Sequence, residues 1–236
     1  MIKAAIDRIL ELGNPPIALV NGCSYSNNTD LQPIRDPSPS TVTMHSLKGF
    51  SSFYDYGIET GEIDKDSIIH VEHEGSVSLR GPLSGPWRQR DHLCKCQLFQ
   101  YREFPFGQYL SLENAIVELQ SKFERNYQLD NLLAVLSNIK GEMVVTAEDD
   151  GSAQSVTVKD SVGRLADLKI KPIVELAPYR TFREVDQPLS KFLLRFKKAQ
   201  GLPQVALFEA DGGAWRHAAI ESIAEFLRGK DRVVIA

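Results

Sequence analysis

The stretch SIIHVEHEGSVSLR, residues 67–80, predicts the sheet from which the fold is built. Two strand-like runs, at 67–73 and 76–80, are separated by Glu74-Gly75. A two-residue connection of a polar residue and glycine is typical of a β-hairpin, because glycine reaches the positive φ that a tight turn requires. We therefore expect two antiparallel strands here, with the rest of the chain arranged around them.

The remaining strands are predicted from short apolar or alternating runs. They lie at 41–44, 92–101, 142–146, 155–159, 173–176, 192–197, 205–208 and 233–235. Within 92–101, Leu98 and Phe99 break the alternation, as at a bulge or in a strand buried on both faces. A second hairpin is expected between 142–146 and 155–159, because Asp150-Gly151 separates them.

Helices are predicted where apolar residues recur with a period of 3.6 residues. The strongest signal runs from Ser111, as N-cap, to Phe123, and another covers 129–139. Further apolar faces of this kind are formed by Ile2, Ile6, Ile9 and Leu10, by Leu47, Phe50, Phe53 and Tyr54, and by Trp215, Ala219, Ile223, Phe226 and Leu227. Because strands cluster and do not alternate strictly with helices, the predicted class is α+β, a mostly antiparallel sheet flanked by amphipathic helices.

Length and composition favour one domain. The chain has 236 residues, of which 42% are hydrophobic and 25% charged, as in ordinary globular proteins with one substantial core. No Gly/Ser-rich or highly charged linker divides the sequence. We expect a single α+β domain over 1–236, with a surface loop rich in Pro, Ser and Asn at about 21–40.

Charge and hydropathy exclude two classes of partner. With 27 basic and 31 acidic residues, a net charge of −4 argues against general binding of duplex DNA, which requires a dense basic surface. No apolar run approaches the roughly 20 residues of a membrane span. The N-terminus carries Lys3, Asp7 and Arg8 where a signal peptide needs an apolar stretch, so a cytoplasmic protein is expected.

Three cysteines raise the question of a metal site. Their odd number predicts reduced thiols. His92, Cys94 and Cys96 would share one face of a strand, and Cys23 could supply a fourth zinc ligand. Structural zinc usually takes cysteines brought together by a turn, whereas these residues are spaced by about 6.5–7 Å along a strand. The pattern favours buried thiols, and no cofactor is expected.

Two motifs combine aromatic rings with arginines, at 87–90 and 179–183. The candidate ligand-binding residues are Trp87, Arg88, Arg90, Tyr179, Arg180 and Arg183. A ring and a guanidinium group together can stack a base and clamp a phosphate. The structural alternative stays open, since Arg183 precedes Glu184 and Asp186, with which it could form an ion pair, and Trp87 could anchor a core or an interface.

Catalytic signatures are weak. Asp149, Asp150 and Asp211 occur in turn-like contexts, where aspartate is favoured for its local hydrogen bonding. No nucleophile and base stand in a recognisable local motif. Whether the chain is an enzyme is therefore uncertain, and a non-enzymatic role is favoured. The alternative is a metal-dependent phosphodiesterase or nuclease that uses these carboxylates and an arginine.

Several strings resemble uncharacterised phage and prophage proteins of the YfdQ type. They are Asp149-Asp150-Gly151 with Gln154, the run 176–185, Gln187-Pro188 and the run 210–215. The likeness covers most of the chain after about Thr41 and leaves 21–40 unmatched. The family has no established activity that could be carried over to individual residues.

The resemblance implies a phage accessory protein in the cytoplasm of a bacterial host. Such a protein would act by binding or assembly, as a homo-oligomer that sequesters or blocks a host component. The component could be a nucleotide or a host protein, in a host–virus interaction such as counter-defence. A structural component of the virion is a further alternative.

Overall fold

A computed structural model describes most of the chain. It covers residues 2–13, 17–20, 22–26, 32–34, 38–99, 102–139, 143–145, 155–159, 165–169, 172–229 and 232–236. The helices are α1 (Ile2–Gly13), α2 (Leu47–Thr60), α3 (Leu112–Lys122), α4 (Tyr127–Asn138) and α5 (Ala214–Leu227). The strands are β1 (Ile17–Val20), β2 (Cys23–Ser26), β3 (Gln32–Pro33), β4 (Val42–Met44), β5 (Ile68–His73), β6 (Ser76–Ser84), β7 (Gln89–Gln97), β8 (Leu110–Ser111), β9 (Met143–Val145), β10 (Ser155–Lys159), β11 (Leu165–Lys169), β12 (Ile173–Leu176), β13 (Ser190–Ala199), β14 (Leu202–Glu209) and β15 (Val233–Ile235).

The first sheet has the strand order β15-β5-β6-β7-β4. Its centre is the predicted hairpin of β5 and β6, and β7 continues the antiparallel pairing, whereas the outer strands β15 and β4 pair in parallel. The helices α2 and α5 cover this sheet. Their shared core, the first core, contains Leu47, Phe50, Tyr54, Ile63, Ile69, Val71, Val77, Leu79, Cys94, Cys96, Phe182, Ile223, Ala224 and Leu227.

The second sheet is antiparallel, with the order β12-β13-β14-β8. Two helices, α3 and α4, pack on it. As predicted, Ser111 caps α3, because its side chain accepts a hydrogen bond from the N–H of Asn114 at 3.3 Å. The second core includes Leu119, Leu132 and Leu136 from the helices with Phe104, Phe123, Leu176, Phe192, Leu194 and Leu207. The predicted α+β class is confirmed.

Two small sheets complete the described chain. One has the order β1-β2-β3, so the predicted loop at about 21–40 was wrong in part, because it contains two short strands. Pairing with β1 satisfies the backbone N–H and C=O groups of β2. The polar side chains of this segment did not indicate a sheet, because the pairing depends on the backbone. The other sheet, β11-β10-β9, confirms the predicted second hairpin, while its Asp150-Gly151 turn lies outside the described residues.

Strand β7 spans 89–97, whereas the predicted strand was 92–101. The difference arises because β6 continues to Ser84, beyond the predicted end at residue 80, and the chain turns back at 85–88. That turn uses positive φ angles at Gly85 (64°) and Arg88 (48°). The register shifts between Arg80 and Leu83, and such a bulge accommodates Pro82, which has no N–H to donate to a neighbouring strand.

The predicted helix α1 forms, but its apolar face is not buried. Ile2, Ile6, Ile9 and Leu10 are each at least half exposed, with Ile2 at 78%. The two cores therefore form without α1. Within the described part of the chain, no helix is both long and apolar enough to span a bilayer.

Candidate ligand-binding site

The segment 177–189 connects β12 to β13 and contacts both cores. It lacks regular structure, and the buried side chain of Gln187 holds it in place. Its Oε1 accepts hydrogen bonds from the N–H groups of Arg180 (3.0 Å) and Thr181 (3.3 Å), while Nε2 donates to the carbonyls of Phe182 (3.0 Å) and Val185 (3.3 Å). A single amide thus fixes the backbone that presents Arg180.

The Arg180 guanidinium lies among three aromatic rings. Its Cζ is 4.6 Å from the ring centres of both Phe106 and Trp215 and 5.2 Å from that of Phe192. Nη1 donates to Oε1 of Glu209 at 2.7 Å. Only 7% of Arg180 is exposed, so the positive charge is held by ring quadrupoles and one carboxylate.

The other edge of this guanidinium has no hydrogen-bond partner among the residues that the structure describes. Nε and Nη2 of Arg180 are shielded from solvent and make no hydrogen bond within the described residues. Together these two groups form the fork that binds a carboxylate or phosphate through two parallel hydrogen bonds. Burial lowers the pKa of Arg180, and the nearby charges of Glu209 and Asp211 counteract only part of this effect. An additional anion would therefore stabilise the charged form.

Arg180 lines a cavity of about 620 Å³ beside the turn between β5 and β6 and the end of β7. On its rim, the ring of Phe99 stacks on that of His45, with centres 4.0 Å apart and planes inclined by 22°. His45 is held by a 2.7 Å hydrogen bond between Nδ1 and the carbonyl of Gln97, which requires Nδ1 to carry the proton. Phe99 is 66% exposed, so it presents a fixed aromatic surface to the cavity.

Acidic side chains also border this cavity. Glu74 lies 3.7 Å from Nε of Arg216, so its charge is partly balanced. Glu103 is exposed. These carboxylates can accept hydrogen bonds from the hydroxyl or amino groups of a ligand. The lining thus combines a buried guanidinium, an aromatic surface and hydrogen-bond acceptors.

Known proteins add nothing to this geometry. Comparisons with protein-family models, with curated proteins and with solved structures found no match.

Tyr179 and Arg183 lie beside Arg180 in sequence but do not line its cavity. The guanidinium of Arg183 stacks on the ring of Tyr179, with Cζ 3.4 Å from the ring centre. Arg183 is exposed, and Glu184, its expected ion-pair partner, accepts a hydrogen bond from Ser46 at 2.7 Å. The motif at 179–183 therefore contributes one residue, Arg180, to the cavity.

The motif at 87–90 lies at the other end of the first sheet. Trp87 and Arg88 form the turn after β6, whereas the cavity borders the beginning of that strand, about 25 Å away at 3.3 Å per residue. Trp87 packs edge-on against Tyr25, with ring centres 5.3 Å apart, and Arg90 donates to the carbonyl of Gly81 at 2.7 Å. The two arginine motifs are thus not brought together.

The predicted common face of His92, Cys94 and Cys96 was wrong. In the register of β6 and β7, Leu79 pairs with Cys94 but Arg80 pairs with His92, so a bulge at Leu93 interrupts the alternation. His92 is exposed, whereas both thiols lie in the first core. Burial raises the pKa of Cys94 to about 11 and that of Cys96 to about 12. These thiols pack as small apolar groups.

Of the three carboxylates in the enzyme alternative, only Asp211 lies within the described residues. Asp149 and Asp150 lie outside the described residues. Asp211 uses Oδ1 to accept a hydrogen bond from the N–H of Gly213 at 3.0 Å, as aspartate does in a turn. Among the residues that are described, no three His, Cys, Asp or Glu side chains are grouped to hold a metal ion.

Sequence reasoning missed most of the side chains around Arg180. Phe106, Phe192, Trp215 and Glu209 come from four separate parts of the chain, and nothing local marks them as neighbours. Phe99 breaks the alternation predicted for 92–101, but that break indicated a bulge or two-sided burial, whereas Phe99 lies beyond β7 and is exposed.

Proposed function

We propose that this chain is a binding protein that acts without catalysis and holds a nucleotide or a similar phosphate-bearing ring compound in the Arg180 cavity. The observation that carries the proposal is the unpartnered Nε and Nη2 edge of a buried arginine beside a cavity of about 620 Å³. That volume is within the range of about 300–1,000 Å³ that small-molecule sites occupy.

The phosphate would bind the free edge of Arg180, which is shielded from solvent in this structure, so binding would require a small displacement that exposes Nε and Nη2. A buried cation that lacks part of its compensation gains more from an added anion than an exposed one does, because solvent screens the interaction less. Glu209 and Gln187 hold the guanidinium and its backbone in one position. Little side-chain entropy would be lost on binding, which favours affinity.

The ring of the ligand would stack on Phe99. Base stacking on an aromatic side chain contributes about 1–3 kcal/mol and tolerates any base. His45 supports Phe99 from behind, so the platform is ordered before the ligand arrives. Glu74 and Glu103 would accept hydrogen bonds from hydroxyl or amino groups, a role that inorganic phosphate alone does not use.

Sequestration of a host component is the role that this chemistry fits. The resemblance to YfdQ-type phage and prophage proteins supports an accessory protein in the host cytoplasm, directed at a nucleotide signal or at a defence protein. A ligand that is bound in the Arg180 cavity without being chemically changed would no longer be available to the host. The amount of ligand removed would increase with the amount of protein made. Counter-defence is the setting that we propose.

Self-assembly is the second part of the proposal, with another copy of the chain as the partner. The apolar face of α1 is exposed, although isolated helices of about 12 residues are marginal in water. Ile17 and Leu19 of β1 add further exposed apolar surface next to it in sequence. Pairing of this face with its copy would cover all of these side chains.

Arg180→Lys tests the ligand site. Lysine keeps the charge but loses the fork, so the Kd for a mononucleotide such as AMP should rise about tenfold or more, measured by calorimetry and by the ligand-induced rise in Tm. We prefer this substitution to Arg180→Ala, because an alanine would also empty the space between three rings and lower stability.

Arg183→Lys is the matched control, since Arg183 is the neighbouring exposed arginine outside the cavity, and its Kd should stay within about twofold of the original. Phe99→Ala should weaken AMP but not inorganic phosphate. The proposal fails if no nucleotide among a panel of mono-, di- and cyclic nucleotides raises Tm, or if Arg180→Lys binds as tightly as the original chain.

Ile6→Glu combined with Ile9→Glu tests self-assembly. Two carboxylates on the apolar face of α1 should lower the native mass measured by light scattering, because burying them in an interface is costly. Ala4→Glu, on the opposite side of the same helix, should leave the mass unchanged. A monomeric original chain, or an unchanged mass in the double variant, would exclude this interface.

A further inference from the structure

A second cavity, of about 530 Å³, lies at the end of the second sheet, where β13 begins, β14 ends and α5 starts. Its polar lining comes from Glu175, Ser190, Lys191 and Asp211, and Trp215 supplies an aromatic side chain. None of these residues lines the Arg180 cavity. This cavity, which we call the Trp215 cavity, therefore requires its own explanation.

Two residues of its lining, Ser190 and Asp211, each have a shielded polar atom with no hydrogen-bond partner within the described residues. Ser190 is only 2% exposed, and its Oγ makes no hydrogen bond. Oδ2 of Asp211 is likewise shielded and unpaired, although Oδ1 is used by the N–H of Gly213. Buried polar atoms are nearly always satisfied in folded proteins. A hydroxyl that both donates and accepts, together with a carboxylate oxygen that only accepts, would be satisfied by a ligand rich in hydroxyl groups.

The charges around the Trp215 cavity nearly balance. Glu175 and Lys191 are directly opposite each other on β12 and β13, so these two charges offset each other. The negative charge of Asp211 faces the N-terminal end of α5, whose dipole favours an anion. Neither a free cation nor a free anion is therefore strongly favoured, and a neutral polar ligand suits this lining better.

Trp215 provides the apolar part of the lining. Its indole is half-buried, and Arg180 packs on the ring at 4.6 Å, which holds the ring in position. An indole surface next to hydrogen-bonding groups suits a ligand with one C–H face and a perimeter of hydroxyls. Sugar rings have this distribution of polar and apolar groups.

We propose that the Trp215 cavity binds a neutral monosaccharide unit. Its ring would pack against Trp215, one hydroxyl would donate to Oδ2 of Asp211, and a neighbouring hydroxyl would bind Oγ of Ser190. Glu175 and Lys191 would contact hydroxyls nearer the opening. This site shares no lining residue with the proposed nucleotide site, although Arg180 of the nucleotide site packs on Trp215.

Tryptophan fluorescence can report on this cavity directly. The chain has two tryptophans, so Trp87→Phe leaves Trp215 as the single reporter. In that background, titration with glucose, galactose, mannose and N-acetylglucosamine should change the emission saturably for at least one sugar. Asp211→Asn keeps the acceptor for Gly213 but replaces Oδ2 by a donor, and it should raise the Kd about tenfold. Ser190→Ala should also weaken binding.

Ser67→Ala is the matched control, because Ser67 is another fully buried serine with an unpaired hydroxyl, located outside the cavity. It should bind sugar like the parent. The proposal is overturned if no sugar gives a saturable change in emission. It is also overturned if Asp211→Asn and Ser190→Ala, shown by circular dichroism to be folded, bind sugar as tightly as the parent. Tighter binding of ethylammonium or inorganic phosphate than of the sugars in this cavity would overturn it as well. Loss of AMP binding in Phe99→Ala, with sugar binding intact, would separate the two sites, because Phe99 lines only the Arg180 cavity.

Discussion

Gly57 has no Cβ, and this allows a buried side chain to pack closely against α2. It lies inside α2, where glycine normally costs about 1 kcal/mol relative to alanine. A Cβ at this position would be 2.2 Å from Cδ1 and 2.4 Å from Cγ1 of Ile63, a buried side chain of the first core. The side chain of Ile63, which follows α2 in the chain, therefore lies so close to the helix backbone that only glycine fits at position 57.

Gly57→Ala should lower the free energy of unfolding by about 1–3 kcal/mol, because Ile63 must leave its position in a packed core. Urea denaturation measures the change. Gly49→Ala in the same helix is the control: its nearest contact would be an ordinary 3.8 Å, so the variant should be as stable as the original or slightly more stable. Equal stability of both variants would contradict this account of Gly57.

At the scale of the element, Glu72 links three strands of the first sheet. It lies on β5 and accepts a 3.0 Å hydrogen bond from Nη2 of Arg80 on β6, while Nζ of Lys95 on β7 is 3.5 Å away. Partial burial acts to raise the pKa of Glu72, but hydrogen bonds from Arg80, Ser78 and Ser76 outweigh it and lower the pKa to about 2. The charged form therefore stabilises the folded sheet.

Glu72→Gln should reduce the free energy of unfolding by on the order of 2 kcal/mol at neutral pH. Because the folded pKa lies below the unfolded one, the stabilisation by Glu72 is complete above about pH 4.5 and is lost as the pH falls towards 2. The difference between the original chain and the variant should therefore shrink with acidification in urea titrations.

Glu59→Gln, at an exposed position of α2, serves as the comparison and should change stability by less than about 0.5 kcal/mol at any pH. The difference in the free energy of unfolding between Glu72→Gln and the original chain could instead stay constant across the acid range. That result would show that the stabilisation of the sheet does not depend on the charge of Glu72.

For the whole molecule, the segment 177–189 decides how the two cores are joined. Phe182 is buried in the first core, and Arg180 packs on Phe192 of the second. Oγ1 of Thr181 donates to the carbonyl of Glu74 at 2.6 Å, at the turn between β5 and β6. Gln187 holds these contacts together through four hydrogen bonds to the backbone.

Gln187→Ala should lower the free energy of unfolding by about 2–4 kcal/mol, because it leaves buried backbone groups without partners. Gln187→Glu should also destabilise at neutral pH, since a carboxylate cannot donate to the carbonyls of Phe182 and Val185. Urea denaturation and hydrogen exchange of the 177–189 amides would report both effects. Gln120→Ala, at an exposed site on α3, should be neutral, and similar stability of all three variants would show that the segment is held by other contacts.

Local signals predicted the elements but not their partners. The hairpin of β5 and β6 follows from Glu74-Gly75, and α3 begins after Ser111 as expected, because turn chemistry and capping depend on a few adjacent residues. Arg180 was recognised as a candidate from its motif. The rings around it were not, since stacking between residues far apart in sequence has no local pattern.

The sequence by itself determined the α+β class, the central hairpin and the helix N-cap at Ser111, because propensity, periodicity and turn chemistry act over neighbouring residues. Only the tertiary structure decided which motif borders a cavity. The aromatic rings that surround Arg180 belong to Phe106, Phe192 and Trp215, whereas the motif at 87–90 lies at the distant end of β6. The reason is that burial and the unpartnered edge of a guanidinium depend on how separate elements pack, which no single stretch of sequence encodes.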